Sequence, residues 1–214
     1  INVGLVGIRY DAVRPPVHFD SVPYIFSNAE PDFPRELSAE LVNCKRQELE
    51  FRDGFQFALR MREDNLPVAL LFDGSLIFWH LEAKDPALRD TFLPRYLATL
   101  CQLAQEKILT AGYISLPKSR ELVNLIRLHL CDFNPNDQSK AEQLALVEGM
   151  VDATIVGFYL KPYERTILFQ NNSSVSDSYP DHVRPYFFYL HVGDEIGRVE
   201  IPAWIAQDEK LVDQ

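Results

Sequence analysis

Positive charge is what this sequence is short of: 21 Lys and Arg stand against 31 Asp and Glu, a formal charge of -10 over 214 residues. A chain that holds nucleic acid by bulk electrostatics needs the opposite balance, so a contact of that kind has to be local. Cysteine is scarce as well. Cys44, Cys101 and Cys131 show no CxxC pair and no Cys/His ligand spacing, which argues against a disulfide scaffold or a zinc module and predicts reduced, buried thiols. No apolar run approaches the roughly 18 to 20 residues of a membrane span, and no signal peptide opens the chain, so a cytoplasmic protein without a membrane segment is expected. Gly-rich phosphate loops, a Gly-x-Ser-x-Gly elbow and zincin spacing are all missing, which leaves ATPase, serine hydrolase and zincin chemistry without a motif.

What remains is 47% hydrophobic and 24% charged, enough for one domain with a large core over residues 1–214. Residues 2 to 10 read as a strand. The Pro-rich stretch from Arg14 to Pro34 reads as an extended loop with a short strand at Tyr24 to Phe26. From Pro34 to Arg62 a long helix is predicted, because Leu37, Leu41, Cys44, Phe51, Phe55 and Ala58 recur on one face. A strand at 67–72, a turn at Asp73-Gly74, a strand at 75–81 and a helix at 87–108 follow. The stripe of that helix is Leu93, Tyr96, Leu97, Leu100, Leu103 and Ala104. A strand at 112–117 leads to a helix capped by Ser119, then a polar excursion over 132–147. Strands are predicted at 153–160, 165–170 and 184–192, then a hairpin turned by Gly193-Asp194 and a helix begun at Pro202. The sum is α/β, a mixed sheet flanked by helices. Because the chain opens inside a strand-like run and closes in a helix-like one, a domain cut at both ends is expected.

Within "VALLFDGSLIFWH", residues 68 to 80, a lone carboxylate stands at the lip of an apolar run. Asp-Gly is a favoured hairpin turn, and that alone accounts for Asp73. Glu48 presses the other way, since an acid on the apolar stripe of a long helix needs a cation or a basic partner. If that helix packs on the strand ending at Asp73, the acids converge and offer the hard oxygen ligands that Mg2+ or Mn2+ takes. His80 closes this segment beside Asp73 and is read first as a packed strand residue, and His191 is placed near a sheet end; His18, His129 and His182 have no acid or nucleophile partner in sequence.

Four pieces carry a resemblance: "INVGLVGIRY" at the start, "LLFDGSL" at 70–76, "SLPKSREL" at 115–122 and "FFYLHVGDEIGRVEIPAWIA" at 187–206. In this order they resemble the NurA nuclease family. The resemblance implies an RNase H-like fold and Mn2+- or Mg2+-dependent cleavage of DNA, as a 5'-to-3' exonuclease and single-strand endonuclease in double-strand-break end resection and repair. It also implies a homodimer that docks on a HerA-type hexameric ATPase. Carried over by residue, the family's metal aspartate falls on Asp73, and its helix glutamate falls in "CKRQELEF", on Glu48 or Glu50. The apolar stripe favours Glu48, whereas an Arg ahead of the acid, Arg46 to Glu50, favours Glu50. Lys118 matches the family lysine that meets a phosphate, and Arg198 and Glu200 match its Arg-x-Glu strand, where alternation puts both on one face as an ion pair or a DNA contact.

The family places another metal aspartate upstream of its Asn-Val-Gly strand and a Tyr and His downstream of the last helix, so a fragment with neither is expected to be weakened or inert. Lys45, Arg46, Arg60 and Arg62 are the candidate cations for a narrow DNA entrance, and the apolar "VPYIF" loop is a candidate contact surface. The alternative from another class is a non-catalytic module that keeps the fold and binds an ATPase partner; a third is another RNase H-like phosphotransferase or hydrolase.

Overall fold

The computed structural model describes residues 1–10, 17–26, 38–62, 66–79, 86–134 and 144–213. Leu37, His80, most of the Arg14 to Pro34 loop and the centre of the 132–147 excursion lie outside those residues. Strand β1 (Asn2–Ile8) pairs antiparallel with β2 (Val17–Pro23) as a separate two-stranded sheet. The short strand expected at Tyr24 to Phe26 is therefore displaced toward the N-terminus, into the stretch read as a loop. Helix α1 (Ala39–Met61) follows, capped by the Ser38 hydroxyl accepting from the Leu41 N-H.

The main sheet has five strands in the order β3-β4-β7-β6-β5. β3 (Ala69–Asp73) runs parallel to β4 (Leu109–Ile114), and the crossover between them contains α2 (Pro86–Gln105). β4 is antiparallel to β7 (Ile196–Pro202), which forms the expected hairpin with β6 (Pro185–His191), and β5 (Phe169–Gln170) closes the far edge. Between β4 and β5 lie α3 (Glu121–Leu130) and the short α4 (Asp152–Val156), while α5 (Ala203–Ala206) and α6 (Glu209–Val212) end the chain.

Register sorts the residues by face. Phe72, Gly112, Glu200 and Phe187 are laterally aligned across four strands, as are Asp73, Tyr113, Val199 and Phe188 on the opposite face. On the first face, α1 and α2 cover the β3 end through Phe51, Phe55, Tyr96 and Leu100. Residues of α3 and α4 cover the β6 end through Leu122, Val156, Phe187 and Tyr189. Glu200 and Arg198 stand between these two packed groups. The opposite face is closed by Trp204, Ile205 and Leu211 against Phe188, Val199 and Ile201.

Three further predicted strands differ. Residues Ser75 to Trp79 form no strand: Leu76, Ile77 and Phe78 are driven into the core at 1%, 1% and 0% exposure. Side chains serve that backbone instead of a ladder, since Tyr96 and Tyr179 both donate to the Leu76 carbonyl, at 2.7 and 3.0 Å, and Tyr179 accepts from the Phe78 N-H at 3.0 Å. Asp73-Gly74 is accordingly not a hairpin turn. The run at 153–160 begins in α4 and continues in turns, since a short apolar run does not distinguish helix from strand. Of 165–170 only Phe169–Gln170 joins the sheet, with one bridge from Arg165 to Leu190.

Helix α1 is buried on more than one side. Phe51 stacks on Phe72 with ring centroids 3.8 Å apart and meets Tyr96 at 4.4 Å, whereas a Cβ at Gly7 of β1 would touch the Phe57 ring at 3.0 Å. Phe51→Ala is expected to cost about 3–5 kcal/mol by leaving a cavity at the helix-sheet contact. Arg60→Ala removes an exposed ion pair with Asp20 and is expected to cost about 0–1 kcal/mol. Urea unfolding of both variants checks the contrast.

Candidate functional site: the turn that ends strand β3

Asp73 is the last residue of β3, a sheet edge, and its side chain is exposed. Gly74 follows at φ +136°, a backbone setting that L side chains rarely adopt. Its N-H donates to the Tyr113 carbonyl at 2.9 Å. Gly112 of β4 makes the approach possible, because a Cβ there would lie 2.5 Å from the Gly74 carbonyl oxygen. Ser75 completes the turn: its hydroxyl donates to Glu200 Oε2 at 2.6 Å and accepts from the Ile77 N-H at 2.9 Å and Trp79 Nε1 at 3.0 Å. Glu200 Oε2 also accepts from the Leu76 N-H at 2.8 Å.

The two helix glutamates lie two residues apart, about 200° around an α-helix, so they cannot share a partner. Glu48 is committed toward α2: Lys45 Nζ sits 2.9 Å from Oε2 and Arg95 Nη1 3.7 Å from Oε1. Glu50 pairs instead with Arg46 of its own helix. Burial raises its pKa, the Asp73 carboxylate raises it further, and Arg46, bonded at 3.2 Å, opposes both. Gln47, just before these acids, donates to the Ser75 carbonyl at 3.4 Å and holds α1 beside the turn. The structure thus brings Asp73 and Glu50 within electrostatic reach, with Glu48 turned away to bridge the helices.

Lys118 is exposed in the turn between β4 and α3, two residues after Leu116, whose φ of +46° makes it one of the few non-glycine residues in the left-handed region. Arg198 and Glu200 form the ion pair that alternation allowed, with Nε 3.0 Å from Oε1 and exposures of 3% and 0%. Arg198 also bonds Glu121 of α3 at 2.7 Å and lies 3.8 Å over the Phe187 ring. The candidate entrance cations are already paired: Lys45 with Glu48, Arg46 with Glu50, Arg60 with Asp20 and Arg62 with Glu106. In the VPYIF loop Ile25 is 94% exposed, but the Tyr24 hydroxyl is bonded to Asp53 at 2.8 Å. His191 accepts the Gly193 N-H at 3.2 Å within its own hairpin.

Sequence reasoning missed two groups. Ser75 was read only as part of a motif, and its link to Glu200 crosses 125 residues of chain. Asp152, fully buried, accepts from the Val123 N-H at 2.8 Å and the Tyr189 hydroxyl at 2.7 Å, so it caps α3 from α4. The Ser119 hydroxyl is spent on Tyr189 at 2.8 Å rather than on the cap. Burial first, and then the bond to Asp152, push the Tyr189 phenol above its ordinary pKa.

An exposed carboxylate at a strand end with a second one on the neighbouring helix offers hard oxygen ligands, and Mg2+ is commonly held by one or two carboxylates together with substrate phosphates. Among the described residues no group of three or more His, Cys, Asp and Glu gathers to hold a metal. The raised Glu50 pKa has a consequence for stability. In acid, folded and unfolded chains both hold the proton; as pH rises through the ordinary Glu range the unfolded chain loses it first, and the folded state loses stability. Glu50→Gln is therefore expected to match the parent chain in acid and to gain on it toward neutral pH. Urea unfolding over that pH range checks this, and a difference that does not change with pH contradicts it.

Among the described residues no helix is long and apolar enough to cross a membrane. No curated protein and no solved structure matches the chain. The family described as the NurA domain matches residues 2–214, essentially the whole sequence. The chain therefore belongs to the NurA domain family of nucleases.

Proposed function

We propose that this chain is a Mn2+- or Mg2+-dependent deoxyribonuclease of the 5'-to-3' exonuclease and single-strand endonuclease type, acting in end resection on an RNase H-like sheet. The observation that carries the reading is that Asp73, at the end of β3, lies close enough to Glu50 of α1 for its charge to add to the burial that raises the Glu50 pKa. These two residues would hold the ion, with Glu48 retained for the α1-α2 contact. Bound there, a divalent cation supplies neutralisation of phosphate charge and activation of a water for in-line displacement. Arg46 balances the Glu50 carboxylate at the rim of the site. Lys118, a compact exposed charge, binds a phosphate oxygen of the strand. The mixed five-stranded sheet with helices on its faces supports the RNase H-like architecture.

The partners follow from the same family reading: DNA, a second copy of the chain and a HerA-type hexameric ATPase, in the cytoplasm. The β1-β2 hairpin supports an interaction role, since Val6, Ile8, Val17 and Phe19 lie on its outer side at 58%, 46%, 47% and 79% exposure. That surface is also the observation favouring the second reading, a module that binds a partner without cutting DNA.

Cleavage of end-labelled single- and double-stranded DNA, with Mn2+, Mg2+ or EDTA, separates the two. Asp73→Ala and Glu50→Gln are each expected to lower the metal-dependent rate by about 100-fold or more, the scale for removing one group that stabilises charge in the transition state. Glu48→Gln is expected to keep most of the rate. Loss with Glu48→Gln and retention with Glu50→Gln would reverse the assignment. A folded chain that cuts nothing with any metal is the binding module.

A further inference from the structure

Asp73 is exposed, ends an edge strand, and precedes a glycine in a conformation few residues adopt, so nothing in its own side chain fixes where its carboxylate stands. The fixing elements lie beneath it. Ser75 Oγ uses its one donor and both acceptor positions, giving to Glu200 Oε2 at 2.6 Å and taking from the Ile77 N-H at 2.9 Å and Trp79 Nε1 at 3.0 Å. Glu200 Oε2 takes the Leu76 N-H at 2.8 Å as well, so one buried oxygen clamps two successive residues of the turn. Its other oxygen is held by Arg198 Nε at 3.0 Å, and Arg198 reaches Glu121 in the first turn of α3 at 2.7 Å.

We infer that Glu200 and Ser75 are the positioning residues of the cation site, fixing the turn that carries Asp73 at the end of β3. Arg198 orients Glu200, and through Glu121 it ties the same carboxylate to the helix that begins just after Lys118. A buried carboxylate at 0% exposure in the seam between two packed groups is a costly way to build a turn, because a hydroxyl or a main-chain carbonyl would accept the same N-H. Its negative charge and two fixed oxygens suit a support that must keep a neighbouring carboxylate from swinging, as groups bonded to metal ligands do elsewhere. Glu200 and Arg198 themselves do not touch the ion or the substrate.

The inference rests on Asp73 and Glu50 being the cation site, and the test separates the two. Mn2+ is titrated into the chain and the free ion read by electron paramagnetic resonance, with Trp79 emission as a second signal because its indole N-H is bonded to Ser75. Circular dichroism confirms that each variant is folded. Ser75→Ala and Glu200→Gln are each expected to weaken Mn2+ binding about 10- to 100-fold, the range for groups that orient metal ligands. The double variant is expected to be little worse than either single change, since both break one link. Tyr189→Phe perturbs the neighbouring buried network of Asp152 and Ser119 and is expected to leave Mn2+ affinity unchanged. If Glu200→Gln does not fold, Ser75→Ala decides alone. Wild-type affinity in folded Ser75→Ala overturns the positioning role and leaves the site standing, whereas wild-type Mn2+ binding that is absent or indifferent to Asp73→Ala overturns the site and the inference with it.

Discussion

A carboxylate with no solvent contact, Glu200, joins the two packed groups on one face of the main sheet. An isolated buried charge of this kind is prohibitive, and it persists here because every direction is answered: Arg198 on one oxygen, Ser75 and the Leu76 N-H on the other. The pair is not a source of net stability in itself, since desolvation consumes much of the Coulomb gain. Its effect is on specificity. Glu200 holds residues 75 and 76 while Tyr96 and Tyr179 receive residues 76 and 78 in the core, directly after Asp73 leaves the sheet edge.

The same logic runs through the second buried network. Asp152 accepts the Val123 N-H and the Tyr189 hydroxyl, so a residue of α4 satisfies the open N-terminus of α3. Tyr189 on β6 and Arg198 on β7 are paired in register, which sets the two networks side by side across one strand. Glu200, Ser75 and Arg198, with Gln47, thus connect α1, the β3 turn and α3, while the Asp152 network separately ties α4 to α3.

Much of this was legible in order and type. The long helix ending near Arg62, the apolar strand before Asp73, the helix around Leu93 to Ala104 and the Gly193-Asp194 hairpin all follow from periodicity and turn chemistry, and the structure has them. The failures share a cause. The runs at 75–81 and 153–160 are apolar and short, and whether such a run is a strand depends on a neighbour offering a ladder. At 75–79 tyrosine hydroxyls and a glutamate took that role from far along the chain.

The choice between Glu48 and Glu50 shows where sequence stops. By itself the sequence determined that an acid-bearing amphipathic helix and an Asp-Gly-Ser turn exist, that their order is that of a NurA domain, and that bulk positive charge is absent. Those properties depend on local periodicity, local turn stereochemistry and composition. Only the tertiary structure decided that α2 brings Arg95 to Glu48 while β3 brings Asp73 to Glu50, and that Ser75 rests on Glu200. The physical reason is that an acid's role is set by the charges and donors around it, and these come from residues tens to more than a hundred positions away.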